Sequence, residues 1–172
     1  MKQRSDRLQN TFYAMSYCSF GSVLIAASDV GLCSVLLADT PEALVREAQT
    51  RFPDAKLAQK DTKIQKLLAV VIGVIEKPNK QFSLPLDLEG TVFQKQVWRA
   101  LQKIPCGKTA TYTDIAKRIG KPKSARAVAQ ACAANNIAVI IPCHRVVRTD
   151  GSLSGYRWGV ERKKALLERE EA

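Results

Sequence analysis

Histidine, paired cysteines and long apolar runs are all scarce in this chain of 172 residues. His144 is the only histidine, and no Cys-x-x-Cys pair occurs among the five cysteines. These absences argue against a structural zinc site and a disulfide framework. The longest apolar run, residues 67–75, is too short to cross a bilayer, and the N-terminus lacks the apolar core of a signal peptide. We therefore expect no metal, no cofactor, no membrane contact and a cytoplasmic location.

The net charge of +11 is concentrated in the second half of the chain. Residues 1–90 carry 11 basic and 10 acidic side chains, whereas residues 91–172 carry 16 basic and 6 acidic ones. Such a local excess favours a polyanion, and nucleic acid is the commonest polyanion in a cell. A merely solvated basic surface and attraction to anionic lipid are the alternatives. Lipid binding would call for a basic amphipathic helix that has no role in a core, and no such helix is evident.

Hydrophobic periodicity predicts a small α/β lobe over residues 1–89. Short apolar runs separated by turn residues predict an antiparallel β-meander of three strands, at residues 12–18, 22–27 and 32–38. Pro41 is typical of a helix start, so a helix is expected to about Phe52, and a second helix is expected after Asp61. Residues 82–88 alternate like a strand, which Pro85 would confine to a sheet edge. We expect this lobe to be structural.

Residues 90–172 predict a second, mostly helical lobe, so the fold class is α/β (α+β). Thr91 and Gln94 match a capping box ahead of an apolar helical stripe. A helix at residues 113–119, a basic Gly-containing turn and a helix that Ser124 can cap follow, in a helix-turn-helix pattern. The last of these helices is rich in alanine. It is either a buried packing helix or a recognition helix that lies close to DNA.

Cys143 and His144 are the candidates for covalent chemistry. The β-branched run at residues 137–141 predicts a buried strand that ends next to them. A thiol becomes nucleophilic when a base or a positive charge favours its thiolate, and His144 and Arg145 supply both. The alternative is a packing cysteine, because adjacent side chains of an extended chain point to opposite faces.

The sequence Pro142-Cys143-His144-Arg145-Val146 closely resembles the active-site signature of the O6-alkylguanine-DNA alkyltransferases. Asn135, Tyr112 and Arg126 lie where that family has an asparagine, a tyrosine and an arginine finger. Leu166-Leu167-Glu168-Arg169-Glu170 resembles its Leu-Leu-x-x-Glu ending. The resemblance is strong from about Leu84 to the C-terminus and compatible in layout before that.

The resemblance implies a chemical role for each of these residues. Cys143 would be the nucleophile and alkyl acceptor, and His144 would remove its proton through a water molecule. Glu170 would orient and stabilise the imidazole, with Glu168 as a rival whose spacing fits less well. Asn135 would shape the turn and its hydrogen-bond network. Tyr112 would stabilise negative charge on the departing base.

The resemblance also implies double-stranded DNA as the partner, bound in the minor groove by the helix-turn-helix. Arg126 would fill the space left by a flipped nucleotide. Residues 154–159 would border the substrate pocket, where the bulk of Trp158 would favour methyl over benzyl groups. Two further sets of residues are implied. The residues expected to contact DNA are Lys123, Ser124, Ala125, Ala127 and Tyr112. The residues expected at the substrate pocket are Tyr156, Arg157 and Trp158.

The implied activity is that of a methylated-DNA–protein-cysteine methyltransferase that acts once. It would take the alkyl group from O6-alkylguanine and, less favourably, O4-alkylthymine. A thioether product is not hydrolysed, so the cysteine is not regenerated. One cysteine and one flipped base need only a monomer, and a bacterial protein of this kind would scan the nucleoid.

Two features of some family members are not expected in this chain. Some members bind zinc through cysteines and histidines near the N-terminus, for which a single histidine is too few. Others carry a further N-terminal domain that repairs phosphotriesters and enables transcriptional control. We expect that the residues before the first predicted strand are too few to form such a domain.

Three alternatives stay open beside this interpretation. A DNA-binding regulator of the same fold would lack transfer chemistry, although the presence of Cys143 argues against it. A Cys-His hydrolase would turn over amides or esters. A basic structural DNA-binding protein would carry the Cys143 signature by chance.

Overall fold

A computed structural model describes residues 10–79 and 82–171. The chain folds as two compact units, the first ending at Leu88 and the second beginning at Glu89. The α/β fold class expected from the sequence is confirmed. No helix in the described part of the chain is long and apolar enough to span a membrane.

The first unit is built on the predicted meander. Strands β1 (Phe12–Cys18), β2 (Gly21–Ala27) and β3 (Leu32–Ala38) pair antiparallel. A two-residue strand that the sequence did not predict, β4 (Lys56–Leu57), pairs parallel with β1 and completes the order β3-β2-β1-β4. Residues 22–26 of the central strand β2 are all buried, which indicates that both faces of the sheet are covered.

Two capped helices cover the sheet. Helix α1 (Pro41–Arg51) begins after Thr40, whose hydroxyl accepts from the Ala43 N–H. Helix α2 (Thr62–Glu76) begins after Asp61, whose carboxylate accepts from the next two free backbone N–H groups. These caps explain why both helices begin where the sequence predicts. The core on the α1 side consists of Leu24, Ala26, Leu36, Leu44, Ala48 and Phe52.

The edge strand predicted at residues 82–88 is absent, which corrects the sequence interpretation. Only Leu86 forms an isolated bridge, with Leu32 of β3. The Leu32 N–H donates to the Pro85 carbonyl at 2.9 Å, and the Asp87 N–H donates to the Leu32 carbonyl at 2.9 Å. A longer parallel ladder would also need a backbone N–H donor at position 85, and Pro85 has none.

The second unit contains the predicted helix-turn-helix. Helix α3 (Val92–Leu101) begins with the capping box, both of whose hydrogen bonds form. Strand β5 (Ala110–Thr111) leads directly into α4 (Tyr112–Arg118), and a turn at positive-φ Gly120 leads to α5 (Ala125–Ala133). Ser124 stands at the N-cap of α5, but its side chain forms no cap hydrogen bond.

The chain ends in elements that bring the candidate residues together. A single turn of 3₁₀ helix (Cys143–Arg145) leads into β6 (Val146–Val147), and helix α6 (Val160–Glu171) follows. Strand β6 pairs parallel with β5, with Thr111 opposite Val147. The start of α4 and the Cys143 turn therefore lie side by side.

Candidate active site

The segment before Cys143 is a compact buried turn, not the strand that the sequence predicted. Residues 138–140 form turns, and the Ile141 N–H donates back to the Ile137 carbonyl at 3.1 Å. Val139 has a φ of +67°, in the left-handed region that β-branched residues rarely adopt. Such backbone strain persists only where the surroundings hold it, and it clusters at functional sites.

Asn135 is the residue that holds this turn, and it is fully buried. Its Oδ1 accepts from the Ile137 N–H at 2.9 Å, and its Nδ2 donates to the Ile141 carbonyl at 3.0 Å. The same Nδ2 donates to the Cys143 Sγ at 3.2 Å. Because one side chain satisfies backbone groups that a neighbouring strand would otherwise pair, the apolar run does not need a sheet. Asn135 thereby links the turn to the thiol.

Cys143 is buried at the wall of a cavity of about 700 Å³. Burial raises the pKa of the thiol to about 11, although the hydrogen bond from Asn135 and the charge of Lys163 oppose the increase. At neutral pH the sulfur therefore carries its proton. A base is needed before it can act as a nucleophile.

His144 is fully buried and lies 2.6 Å, through Nε2, from the Oε1 of Glu170. Burial opposes the ionisation of Glu170, but its hydrogen bonds with His144 and Arg145 outweigh this and lower the pKa of Glu170 to about 2. The carboxylate accepts, so Nε2 carries the hydrogen. Burial also lowers the pKa of His144, which keeps the imidazole neutral with a lone pair on Nδ1. That Nδ1 has no hydrogen-bond partner among the described residues.

Arg145 holds the carboxylate from its other side, a contact that sequence analysis missed. Its Nε donates to Glu170 Oε2 and its Nη2 to Oε1, both at 2.9 Å. Its Nη1 donates to the Ile104 carbonyl at 2.6 Å. Gly107, with a φ of +74°, adds its N–H to Glu170 Oε2 at 3.3 Å. The carboxylate is thus fixed in one orientation toward His144.

Tyr112 faces the same cavity from the start of α4. Its hydroxyl forms a short hydrogen bond with Ser154 Oγ. Ser154 also accepts at 3.0 Å from Nζ of Lys163, a lysine whose exposed fraction is 0%. No role for Lys163 follows from the sequence, since a lysine on a charged C-terminal helix is typical of a solvent-facing position.

The remaining candidates fall into two groups. Cavity-lining candidates, besides Cys143 and Tyr112, are Ala125, Arg126, Tyr156 and Arg157. Candidates that do not line the cavity are Lys123, Ser124, Ala127 and Trp158. Cys132 of α5, which carried no prediction, also lines it.

Trp158 lies buried beside Tyr156, with the two ring centroids 5.3 Å apart. Trp158 therefore contacts the cavity-lining residue Tyr156 and does not itself line the cavity. That the bulk of Trp158 narrows the pocket stays a prediction. Arg157 is held by Asn136 Oδ1 and by the Asn135 carbonyl, at 2.7 and 3.1 Å. This arrangement ties the pocket wall to the turn before Cys143.

Within residues 10–79 and 82–171, no group of three histidine, cysteine or carboxylate side chains could hold a metal ion. The groups that the second unit brings together are instead a thiol, an imidazole-carboxylate pair and a phenol. These are the components of nucleophilic catalysis with general-base assistance.

Comparison with known proteins gives consistent results. The protein-family model described as "6-O-methylguanine DNA methyltransferase, DNA binding domain" matches residues 92–172. Over 158 residues the chain is 52% identical to the bifunctional transcriptional activator/DNA repair enzyme Ada of Escherichia coli (strain K12), covering 92% of this chain. It spans 45% of the length of that relative.

Two further proteins match over most of both chains. The inducible methylated-DNA–protein-cysteine methyltransferase of Bacillus subtilis (strain 168) is 42% identical over 147 residues, with 85% of this chain and 82% of that protein covered. The crystal structure of Mycobacterium tuberculosis OGT in complex with DNA superimposes with a TM-score of 0.79 at 33% identity, covering 93% of this chain and 92% of that one.

Proposed function

This chain belongs to the family of methylated-DNA–protein-cysteine methyltransferases, and we propose that it repairs O6-alkylguanine in duplex DNA by transferring the alkyl group to Cys143. The observation that carries the proposal is the position of the Cys143 thiol, at the wall of a cavity and next to the His144–Glu170 pair. O4-alkylthymine is the less favoured substrate. The second unit binds DNA and carries the chemistry, and the first unit is structural.

The reaction begins with removal of the thiol proton. The lone pair on His144 Nδ1 accepts it through a water molecule, and the Glu170 carboxylate stabilises the resulting imidazolium. The Sγ of Cys143 then attacks the saturated alkyl carbon, the bond from that carbon to O6 breaks, and the electron pair stays with the base. Tyr112 donates a hydrogen bond to the charge that develops there. The proton held by His144 returns to solvent, the base takes up one proton from water, and unmodified guanine is left in the DNA.

The product explains why each molecule acts once. S-alkylcysteine has no carbonyl that water can attack, so no step returns the free thiol. One thiol is consumed for each lesion, and a monomer suffices for the reaction. A protein of this kind works where the chromosome is, which in a bacterium is the nucleoid in the cytoplasm.

Access to the alkylated base calls for nucleotide flipping, because O6 is shielded inside a stacked duplex. Arg126 supports such a role, since it is exposed on the recognition helix α5 and lines the cavity. The small side chains of its neighbours Ala125 and Ala127 would let the helix lie close to the DNA in a groove. The excess of basic residues in the second half supplies contacts to the phosphates that do not depend on base sequence.

Mass spectrometry tests the proposed function. After mixing with duplex DNA that contains one O6-methylguanine, the protein should gain the mass of one CH₂, mapped to Cys143. Cys143→Ser should gain none, whereas Cys132→Ser, which alters the other thiol of the cavity, should react like the wild type. Retained DNA binding with no mass gain would instead indicate a lesion-binding regulator without transfer chemistry.

The role of Arg126 gives a separate prediction. Arg126→Ala should slow transfer from duplex DNA by about tenfold or more, because stabilising a flipped base is worth a few kcal/mol. Transfer from free O6-methylguanine should keep its rate, since no base is flipped. Single-turnover rates on both substrates check this, with the exposed Arg99→Ala on α3 as the control. Equal slowing on the two substrates would contradict a role in flipping.

A further inference from the structure

Lys163 is a fully buried polar side chain near the cavity that the mechanism above leaves unused. Its Nζ donates to the Val146 carbonyl at 2.6 Å and to the Ser154 Oγ at 3.0 Å. Burial lowers the pKa of Lys163, and the nearby thiols of Cys143 and Cys132 oppose this. Burying an amine is costly unless its hydrogen bonds are satisfied, so these two contacts account for how the fold tolerates it.

The direction of the hydrogen bonds runs from Lys163 toward Tyr112. An ammonium group only donates, so Ser154 Oγ accepts from Lys163. A hydroxyl that accepts from a cation is polarised to donate its own hydrogen, and the oxygen it contacts is that of Tyr112. When the Tyr112 oxygen accepts from Ser154, its own hydrogen is free to point elsewhere. The half-buried phenol lines the cavity, so its hydrogen can point into the cavity.

We propose that Lys163 and Ser154 are positioning residues that orient the Tyr112 hydroxyl as a hydrogen-bond donor toward the departing base. This inference rests on the proposed function, because it assigns the partner of Tyr112 in that reaction. Ser154 acts through Tyr112, and Lys163 acts on Tyr112 through Ser154. Without this series of hydrogen bonds, the phenol hydrogen would be free to bond to Ser154 itself and would not be available to the substrate.

Burial raises the pKa of Tyr112, while the hydrogen bond with Ser154 and the charge of Arg148 lower it. The hydrogen bond from Ser154 thus favours the ionised form of the phenol, as expected when Ser154 donates to the phenol oxygen. Lys163 also affects the thiol directly, since its charge lowers the pKa of Cys143. Ser154 is therefore the cleaner position for a test.

The experiment compares wild type, Tyr112→Phe, Ser154→Ala and the double variant in single-turnover transfer at saturating O6-methylguanine duplex. Ser154→Ala should slow the chemical step by about tenfold, the usual range for one hydrogen bond in such a network. The double variant should be no slower than Tyr112→Phe alone. Ser152→Ala, which changes an exposed serine bonded to Asp150 outside the cavity, is the matched control.

A second readout separates orientation of Tyr112 from general damage to the site. Iodoacetamide alkylates a thiol and releases iodide, which needs no proton donor. Its rate at Cys143, followed by peptide mapping, should be the same in Ser154→Ala as in wild type.

Three results would overturn the inference alone: an unchanged transfer rate in Ser154→Ala, additive losses in the double variant, or an equal loss with iodoacetamide. Wild-type protein that gains no methyl group would overturn the proposed function, and the inference with it.

Discussion

Methyl transfer to Cys143 should slow by about 10²–10⁴-fold when Glu170 is replaced by glutamine, the range for loss of general-base function. Glutamine keeps the shape of the side chain but not its charge, so an imidazolium at His144 is no longer stabilised. Its amide can also donate to Nε2, which would move the imidazole hydrogen to Nδ1, the nitrogen that must accept the thiol proton. Single-turnover kinetics with an O6-methylguanine duplex measure the effect.

The matched control for this prediction is Glu168→Gln. Glu168 is exposed on the same helix, where its carboxylate lies 3.9 Å from Lys164. It is also the other glutamate of the Leu-Leu-x-x-Glu region, so the comparison tests which of the two acts on His144. A rate for Glu168→Gln near that of the wild type is expected, because its exposed carboxylate lies near Lys164, whereas the carboxylate that contacts His144 is that of Glu170. Similar losses in both variants would contradict the assignment of Glu170.

The Glu170→Gln variant should also lose stability in a pH-dependent way. In the folded protein the pKa of Glu170 is about 2, below its ordinary value of 4.5, so the unfolded chain binds the proton more readily. The stabilisation, on the order of 3 kcal/mol, is therefore complete above pH 4.5 and is lost as the pH falls toward 2. The lowered pKa of His144 acts in the same direction below its ordinary value of 6.5.

Tryptophan fluorescence suits this measurement because both tryptophans, Trp98 and Trp158, lie in the second unit. Urea unfolding of wild type and Glu170→Gln should differ most near neutral pH, and the two should converge toward pH 2. A difference that does not change with pH would mean that the charge of Glu170 contributes nothing to stability.

Replacing Asn135 with alanine should destabilise the second unit by about 3–5 kcal/mol. The substitution leaves the Ile137 N–H and the Ile141 carbonyl without partners in a buried turn, and each such group costs about 1–3 kcal/mol. It also removes the donor to Cys143 and releases the strained backbone at Val139. Urea unfolding followed by tryptophan fluorescence measures the loss, and the transfer rate should fall with it.

Asn136→Ala is the control for this prediction. Asn136 is the neighbouring residue of the same type, but it is only half-buried, and its Oδ1 accepts from Arg157. Its loss should cost about 1 kcal/mol. Equal destabilisation by the two alanine substitutions would show that the hydrogen bonds of Asn135 within the turn are not what holds the segment.

Much of the fold follows from local signals in the sequence. The short apolar runs and turn residues of the first three strands, Pro41 and Asp61 at helix starts, and the capping box at Thr91 all depend on residues within a few positions of one another. These signals place the elements correctly because backbone pairing and capping are satisfied locally. Where a side chain replaces the expected partner, as Asn135 does for residues 137–141, a β-branched apolar run predicts the wrong element.

By itself, the sequence determined the meander and its helices, the helix-turn-helix, the concentration of positive charge and the adjacency of Cys143 to His144. The family resemblance named Glu170 and Tyr112 as expected partners in the chemistry, but only the tertiary structure shows the contacts that these groups make and the burial of Lys163. Glu170 lies 26 residues from His144, and Lys163 and Tyr112 approach Ser154 from different helices. Contacts over such separations depend on how elements pack. Packing is set by the whole core, which is why a lysine with the sequence context of a surface residue is buried near the Cys143 thiol.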